Sequence, residues 1–540
     1  MRAKNNFRFT LLDLFVFFFA GSVFLSSFVF NHVSANSNKL FLFALLNVLY
    51  FYARLVFDVK KQNRFLLLCF FIVITGLIEA IWGMMQLYGF KSSQHTLFKL
   101  TGSFFNPGPY AGYLAVVFPI ALHLFFKGYN DYITFIRICL CGLTCVAILM
   151  VLPASMSRAS WLAIVAGSLV VIVNKWKVNI IVLKKKKLKI FTLCLLFCLL
   201  VAAFWGTYYL KKDSADGRLL TWKVSISTLA QHPLGVGLGH FPSAYGETQA
   251  AYFASGKAFL KEEYVAGNPE YAYNEFLQIS IESGIVSLLL FVGILICAMR
   301  GLIKSENWGV LGSLVALLVF ACFSYPFSVL PFLIVFVFLL AMSVTEKSTQ
   351  ISQNRKIIHS ISISFVLVVC TIVTTFCLWK QYPVYNAYKQ WKSHQSYYRM
   401  EMYKEASQSY ESLFPYLNDQ IQFLFEYGRS LSMSEQPEKS NEVLKYAMQI
   451  SCDPMLYNIM GKNYQAMKQY EEAERCFIKA SNIVPNRIYP YYLKALMYLE
   501  AGETEKAKVA AQIVLTKEPK VQSTAVKEMR EEARKIMIND

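Results

Sequence analysis

Long apolar runs follow one another from Phe9 to about Leu378 and then stop. A helix needs roughly 20 apolar residues to cross about 30 Å of hydrocarbon. The runs at 9–30, 40–57, 65–88, 110–126, 133–152, 159–174, 189–209, 275–299, 308–324, 327–345 and 357–379 reach or approach that length. The pattern predicts about eleven membrane-spanning helices. The first is expected to be retained, because its apolar run continues to Phe30 with no small-residue cleavage site before the polar stretch from Asn31.

Past Met400 the pattern changes to a repeat of period 34. Tyr457, Met460, Gly461, Tyr464, Ala473, Phe477, Ala480 and Pro485 recur as Tyr491, Lys494, Ala495, Tyr498, Ala507, Ala511, Val514 and Pro519, with weaker copies around Gly428/Ala447 and Ala406/Tyr410. Small residues let two helices pack closely and the proline ends the second, which is the arrangement of a tetratricopeptide repeat. The fold class expected is therefore all-α. A polytopic membrane helix bundle (1–382) with one large external loop (211–274) precedes a helical-repeat solenoid (383–540) of about three helix pairs, whose groove suits a protein partner.

Charge fixes the expected orientation. The chain of 540 residues carries a formal net charge of +19. From Pro383 onward there are 21 Lys/Arg against 20 Asp/Glu, so +18 lies among the spans. It sits in alternate connections: Arg2, Lys4 and Arg8; Arg54, Lys60, Lys61 and Arg64; Lys127 and Arg137; Lys175 through Lys189; Arg300 and Lys304; Lys347, Arg355 and Lys356. Intervening segments such as NHVSANSNK (31–39) and SYPFS (324–328) hold almost none. This is the positive-inside distribution, with the N-terminus in the cytoplasm and the 89–109 segment, the turn at Arg158, the 211–274 loop and the tail on the opposite side. Nucleic acid is not needed to explain the basicity. Ten of the twelve cysteines fall in apolar runs, where they act as small hydrophobes. No Cys/His spacing points to a metal site. Cys452 and Cys476 lie in the tail and form a candidate pair in an oxidising compartment.

Candidate chemistry gathers on the non-cytoplasmic side. Arg158 stands in SMSRASW (155–161) at the start of an apolar span, and Arg218 in DGRLLTW (216–222) opens the large loop. A guanidinium matches phosphate oxygens and stays charged, although either arginine alone also fits an interfacial snorkelling role. In HPLGVGLGH (232–240), Gly235, Gly237 and Gly239 point to a close backbone approach, and His232 and His240 are candidate acid/base groups. Glu275 follows in YAYNEFLQ (271–278); it is either a partly desolvated base or a helix-start carboxylate facing the helix dipole. Mid-span acids, chiefly Glu79 and Asp13, are too few for a transbilayer transport path.

The order GSFFNP (102–107), SRASW (157–161), GRLLTW (217–222), HPLGVGLG (232–239) and NEFLQISIESGI (274–285) resembles the O-antigen ligase superfamily over about 95–345. That superfamily includes lipid-A-core ligases, O-antigen polymerases and protein O-oligosaccharyltransferases. The resemblance implies a metal-independent membrane glycosyltransferase of the bacterial inner membrane, with a periplasmic tail and no cofactor. It implies an undecaprenyl-diphosphate-linked glycan as donor and a glycan, lipid or protein acceptor. It also implies that Arg158 and Arg218 hold the donor diphosphate, and that Asn106, Trp222 and Asn274 contact substrate. Family members usually carry a His just before the Asn-Glu pair; here Tyr273 occupies that position, which leaves acceptor activation to Tyr273, Glu275, His232 or His240. A lipid-linked glycan transporter and a non-catalytic envelope scaffold are the alternatives from other classes.

Overall fold

The computed structural model describes residues 6–30, 38–57, 62–128, 132–175, 212–344 and 360–538. Among these, eight helices are long and apolar enough to cross a membrane, and two shorter apolar helices join them. They are α1 (Leu11–Phe24, continued by a π-helix Leu25–Phe30), α2 (Asn38–Phe57), α3 (Gln62–Leu87), α4 (Pro107–Phe125), α5 (Tyr132–Val151), α6 (Arg158–Lys175), α10 (Glu275–Lys304), the short α11 (Trp308–Ala321) and α12 (Leu330–Met342), and α13 (Ile363–Arg399). The expected span at 189–209 lies outside the described residues. The large loop folds into α7 (Lys212–Gln231), α8 (Phe241–Ala254) and α9 (Leu260–Val265).

Helix α4 is the centre of the bundle, buried almost continuously from Tyr110 to Ala121. Its neighbours α6 and α11 cross at Gly167 and Gly312, where a Cβ on Gly167 would stand 2.6 Å from the Gly312 carbonyl oxygen. Small residues at such crossings let backbones pack in the absence of a hydrophobic drive between helices. Both mid-span acids are held. Asp13 caps α1 with Thr10 and accepts from the Tyr50 hydroxyl (2.7 Å) and Arg54 Nε (3.1 Å). Glu79 accepts from the Ser103 amide (3.0 Å) and hydroxyl (2.5 Å). These contacts lock α1 to α2 and anchor the 88–106 loop.

Two three-residue strands, Asn6–Arg8 and Ser360–Ser362, pair antiparallel and join the entries of α1 and α13. At the opposite end the Asn38 amide donates to Asp419 of the tail (2.9 Å). Both contacts join segments that the charge alternation assigns to one common side.

Helix α13 continues without a break through Pro383 into the tail, so the expected 382/383 division falls inside one helix. Its end is part of the repeat core. Trp391 Nε1 and Gln395 Nε2 donate to the buried Glu426 carboxylate at 2.9 and 2.7 Å, with Val384 and Ala387 packed in the same cluster. After α14 (Tyr403–Glu411) and α15 (Phe414–Leu417) come three helix pairs: α16 (Ile421–Met433) with α17 (Pro437–Ile450), α18 (Pro454–Ala466) with α19 (Tyr470–Ile483), and α20 (Tyr489–Glu500) with α21 (Thr504–Thr516). Helix α22 (Thr524–Ile538) closes the array. Gly428 seats Leu444 and Gly461 seats Phe477, so the same close packing recurs in successive repeats. Cys452 and Cys476 are both buried free thiols, so the candidate pair is not bridged.

Neighbour stacking gives such an array its own stability. A fragment spanning 383–540 should therefore be soluble and helical by circular dichroism. Trp391→Ala should lower its urea-denaturation stability by about 3–5 kcal/mol. A fragment indifferent to that change would show that the end of α13 is not part of the repeat core.

Candidate functional site

Four segments from one end of the bundle meet around a cavity of about 490 Å³. The first is the 88–106 loop. Gln86 accepts from the amides of Thr101 (2.9 Å) and Gly102 (2.7 Å) and donates to the Ser92 and Gly102 carbonyls. Gly102 has φ +58°, and a Cβ there would overlap Tyr110 and Glu79. This knot presents Lys99 and Asn106 to the cavity. The Asn106 side-chain Oδ1 also caps α4 by accepting from the Gly108 amide (3.0 Å).

The second is the turn before α6. Ser155 donates to the Leu152 carbonyl (2.6 Å), the Ser157 and Ser160 hydroxyls lie 2.7 Å apart, and Trp161 Nε1 donates back to Leu152 (3.2 Å). The serines and tryptophan of the SMSRASW motif thus build the turn that sets Arg158 at the mouth of its helix. The third is α7, which contributes Ser214 and Arg218. The fourth is the pair Tyr273 and Tyr325, at the start of α10 and between α11 and α12.

These parts form a cationic, aromatic site. Lys99, Arg158 and Arg218 all line the cavity, and no carboxylate does among the described residues. The Arg218 guanidinium lies over the Tyr273 ring at 5.4 Å. Tyr325 meets Tyr273 edge-on and stacks on Tyr271 at 4.4 Å. Burial and the neighbouring Arg158 charge push Arg218 below the ordinary guanidinium range. Burial raises the Tyr273 phenol, with Arg218 partly offsetting it, so the group is a neutral hydrogen-bond donor at neutral pH. Tyr273 holds φ +52°, a backbone conformation uncommon for a side chain of its size.

Of the residues singled out from sequence, Asn106, Arg158, Arg218 and Tyr273 come together on this cavity. The others lie outside its lining. Glu275 is 3% exposed, and its Oε1 accepts from the Phe327 amide at 2.6 Å, tying α10 to the segment that carries Tyr325. Asn274 caps α10 through the Phe276 and Leu277 amides. Trp222 Nε1 donates to the Ala272 carbonyl (3.0 Å), fixing the approach to Tyr273. His232 is exposed at the end of α7. His240 begins α8 with Nδ1 3.3 Å from the Leu238 carbonyl, and burial lowers its pKa. Lys99 and Tyr325 were not singled out from sequence: Lys99 is one of two loop lysines, and Tyr325 lies in a short cation-free turn.

The glycine-rich segment does make a close approach, and its target is α10. That helix breaks at Gly284 (φ 88°, ψ 167°). The Val236 and Gly237 amides donate to the Ile281 and Glu282 carbonyls (2.9 and 2.8 Å), and the Ile285 amide donates to the Pro233 carbonyl (3.0 Å). Ser26 of the π-helix bonds both strands of this clasp, at Leu234 and Glu282. A Cβ on Gly235 would stand 2.7 Å from the Glu282 carbonyl oxygen.

Comparison with known proteins matches two separate stretches of the chain. The family model described as O-antigen ligase matches residues 143–292, a stretch that contains Arg158, Arg218 and Tyr273. A second model, described as YpiA-like, C-terminal tetratricopeptide repeats, matches residues 388–453. No curated protein matches the chain. The chain is therefore a membrane protein with an O-antigen ligase domain and C-terminal tetratricopeptide repeats.

The clasp makes a direct prediction. A Cβ on Gly284 would stand 2.6 Å from the Leu234 carbonyl oxygen, in a left-handed backbone. Gly284→Ala should destabilise the detergent-solubilised protein by about 2 kcal/mol or more. Gly21→Ala, with nothing within 4 Å of its Cβ, should leave the melting temperature unchanged or higher. Equal melting of both variants would contradict the clasp.

Proposed function

With an O-antigen ligase domain and a repeat tail as the premise, we propose that this protein transfers a glycan from an undecaprenyl-diphosphate-linked donor to an acceptor hydroxyl. The reaction is ligase-like and takes place at the periplasmic face of the inner membrane. The observation that carries this reading is the cavity lined by Lys99, Arg158 and Arg218 and by no carboxylate among the described residues. Such a set of cations fits a ligand with several negative charges. A lipid diphosphate places those charges at the membrane surface while its sugar projects away from it.

The chemistry follows from the charges. The acceptor oxygen attacks the anomeric carbon of the donor sugar. The bond from that carbon to the diphosphate oxygen breaks, and its electron pair leaves with the diphosphate. The acceptor proton passes to water. Negative charge grows on the departing diphosphate, and fixed guanidinium groups stabilise it without reorganising. Arg158 and Arg218 are assigned this clamp and Lys99 supplements it. Tyr273 is neutral at neutral pH, so its role is to orient a hydroxyl or the sugar by hydrogen bonding and ring contact rather than to take a proton. Orientation of this kind suffices where the leaving group is good. Glu275, Asn274 and Trp222 support the site from behind, through the segments that carry Tyr325 and Tyr273.

Lysine keeps the charge of arginine and loses its fork. Arg158→Lys and Arg218→Lys should each lower transfer from purified lipid-linked donor by about ten- to hundredfold at normal membrane level, the cost of one charge-assisted phosphate contact. Full activity in both variants would defeat the clamp and favour snorkelling arginines. Running the assay with lipid-A core, growing glycan and a protein substrate separates the ligase, polymerase and oligosaccharyltransferase acceptors.

A further inference from the structure

The helix that bears Arg218 is held on its outer side by the tail. The connection begins at Asn486, in the turn between α19 and α20, which is 7% exposed. Helix α9 has only six residues and ends with carbonyls that no later turn of helix can satisfy. Asn486 Nδ2 donates to the Glu263, Tyr264 and Ala266 carbonyls at 3.1, 3.0 and 2.8 Å. It caps α9 from another domain, sharing its two N–H groups among three acceptors.

Around this cap lies a mixed interface. Ala250, Cys452, Ile483 and Val484 are buried together. Gly246 leaves room for Cys452, where a Cβ would overlap it. Ser243 donates to the Met448 carbonyl, Lys517 pairs with Glu263 at 3.0 Å, and Lys479 pairs with Glu247. Helix α8 packs against α17 and α19, the second helices of two repeats.

From α9 the contacts run on to α7. Glu262 of α9 pairs with Lys223 of α7 (2.7 Å) and accepts from Tyr252 of α8 (2.6 Å). Lys261 pairs with the buried Asp216 (2.9 Å). Asp216 and Lys223 bracket Arg218 on α7, so a shift of α9 pulls on that helix at both sides of the arginine.

We propose that Asn486 is a positioning residue through which the repeat array supports the donor site. By capping α9, the tail fixes α7 and holds Arg218 over the cavity. The array thus has an intramolecular partner, the external loop of its own chain. The inference rests on the donor reading for its link to activity, and on geometry alone for the coupling of Asn486 to α7.

The test uses the full chain in lipid nanodiscs. In Asn486→Ala, amide hydrogen exchange in 212–231 should speed up by about tenfold, as for loss of a buried capping bond. The kcat/KM for lipid-linked donor should fall by a similar factor or more, through a higher donor KM together with a lower kcat. A charge swap provides a second route should Asn486→Ala fold poorly. Lys479→Glu should lower donor kcat/KM, and adding Glu247→Lys should restore it. Unchanged exchange in α7 while 260–266 opens would overturn the proposal, as would an unchanged donor kcat/KM in a loosened α7 or a failed rescue by the swap. If the wild-type chain transfers nothing from lipid-linked donor, the donor reading fails, and the α7 exchange by itself upholds or overturns the positioning role.

Discussion

Helix α10 breaks at Gly284, and the carbonyls of Ile281 and Glu282, just before the break, accept from amides outside their own helix. Backbone polar groups near the membrane must be satisfied within the protein. The 233–237 segment supplies that satisfaction, and Ser26 completes it from α1. This clasp joins the large loop to the bundle. It ties the segment that follows α7 to α10 at Ile281, Glu282 and Ile285, and so joins the helix that carries Arg218 to the helix that Tyr273 leads into. The glycines at 235 and 284 are required by the closeness of two backbones.

On that frame sits an electrostatic arrangement that costs energy in the ligand-free chain. Burial, and after it the Arg158 charge, bears on Arg218 at a cavity lined by no carboxylate among the described residues. The supporting shell is correspondingly elaborate. Gln86 and Glu79 hold the Lys99 loop, serines shape the turn at Arg158, and Tyr273 lies against the Arg218 guanidinium. On the donor reading proposed above, an anion of high charge entering this cavity would relieve the repulsion and so favour diphosphate over neutral glycan. On the same reading that relief would be largest when the leaving group carries its full charge, so binding and acceleration would share one cause.

Much of this was legible in the sequence. The spans follow from apolar length, and the repeats from period 34, since both are local patterns. Arg158 and Arg218 stood out because a cation bordering an apolar run is costly. The glycines correctly signalled a close approach, while its target, the break in α10, depends on contacts far along the chain. Sequence proximity misled most at 273–275. Tyr273 lines the cavity and Glu275, two residues on, turns to the Phe327 amide, because a left-handed residue and an Asn274 cap stand between the two directions. The docking of the tail on the loop left no local trace, since Asn486 reads as an ordinary turn residue until α9 is beside it.

The central claim is that the cavity between Arg158 and Arg218 holds a lipid diphosphate. The most direct measurement is an electron cryomicroscopy structure of the full chain in nanodiscs with a bound polyprenyl diphosphate. The account predicts the two phosphates between the Arg158 and Arg218 side chains, within about 3 Å of guanidinium nitrogens, with Lys99 turned toward them. Diphosphate bound elsewhere on the protein, with the two arginines unmoved and untouched by it, would contradict the account.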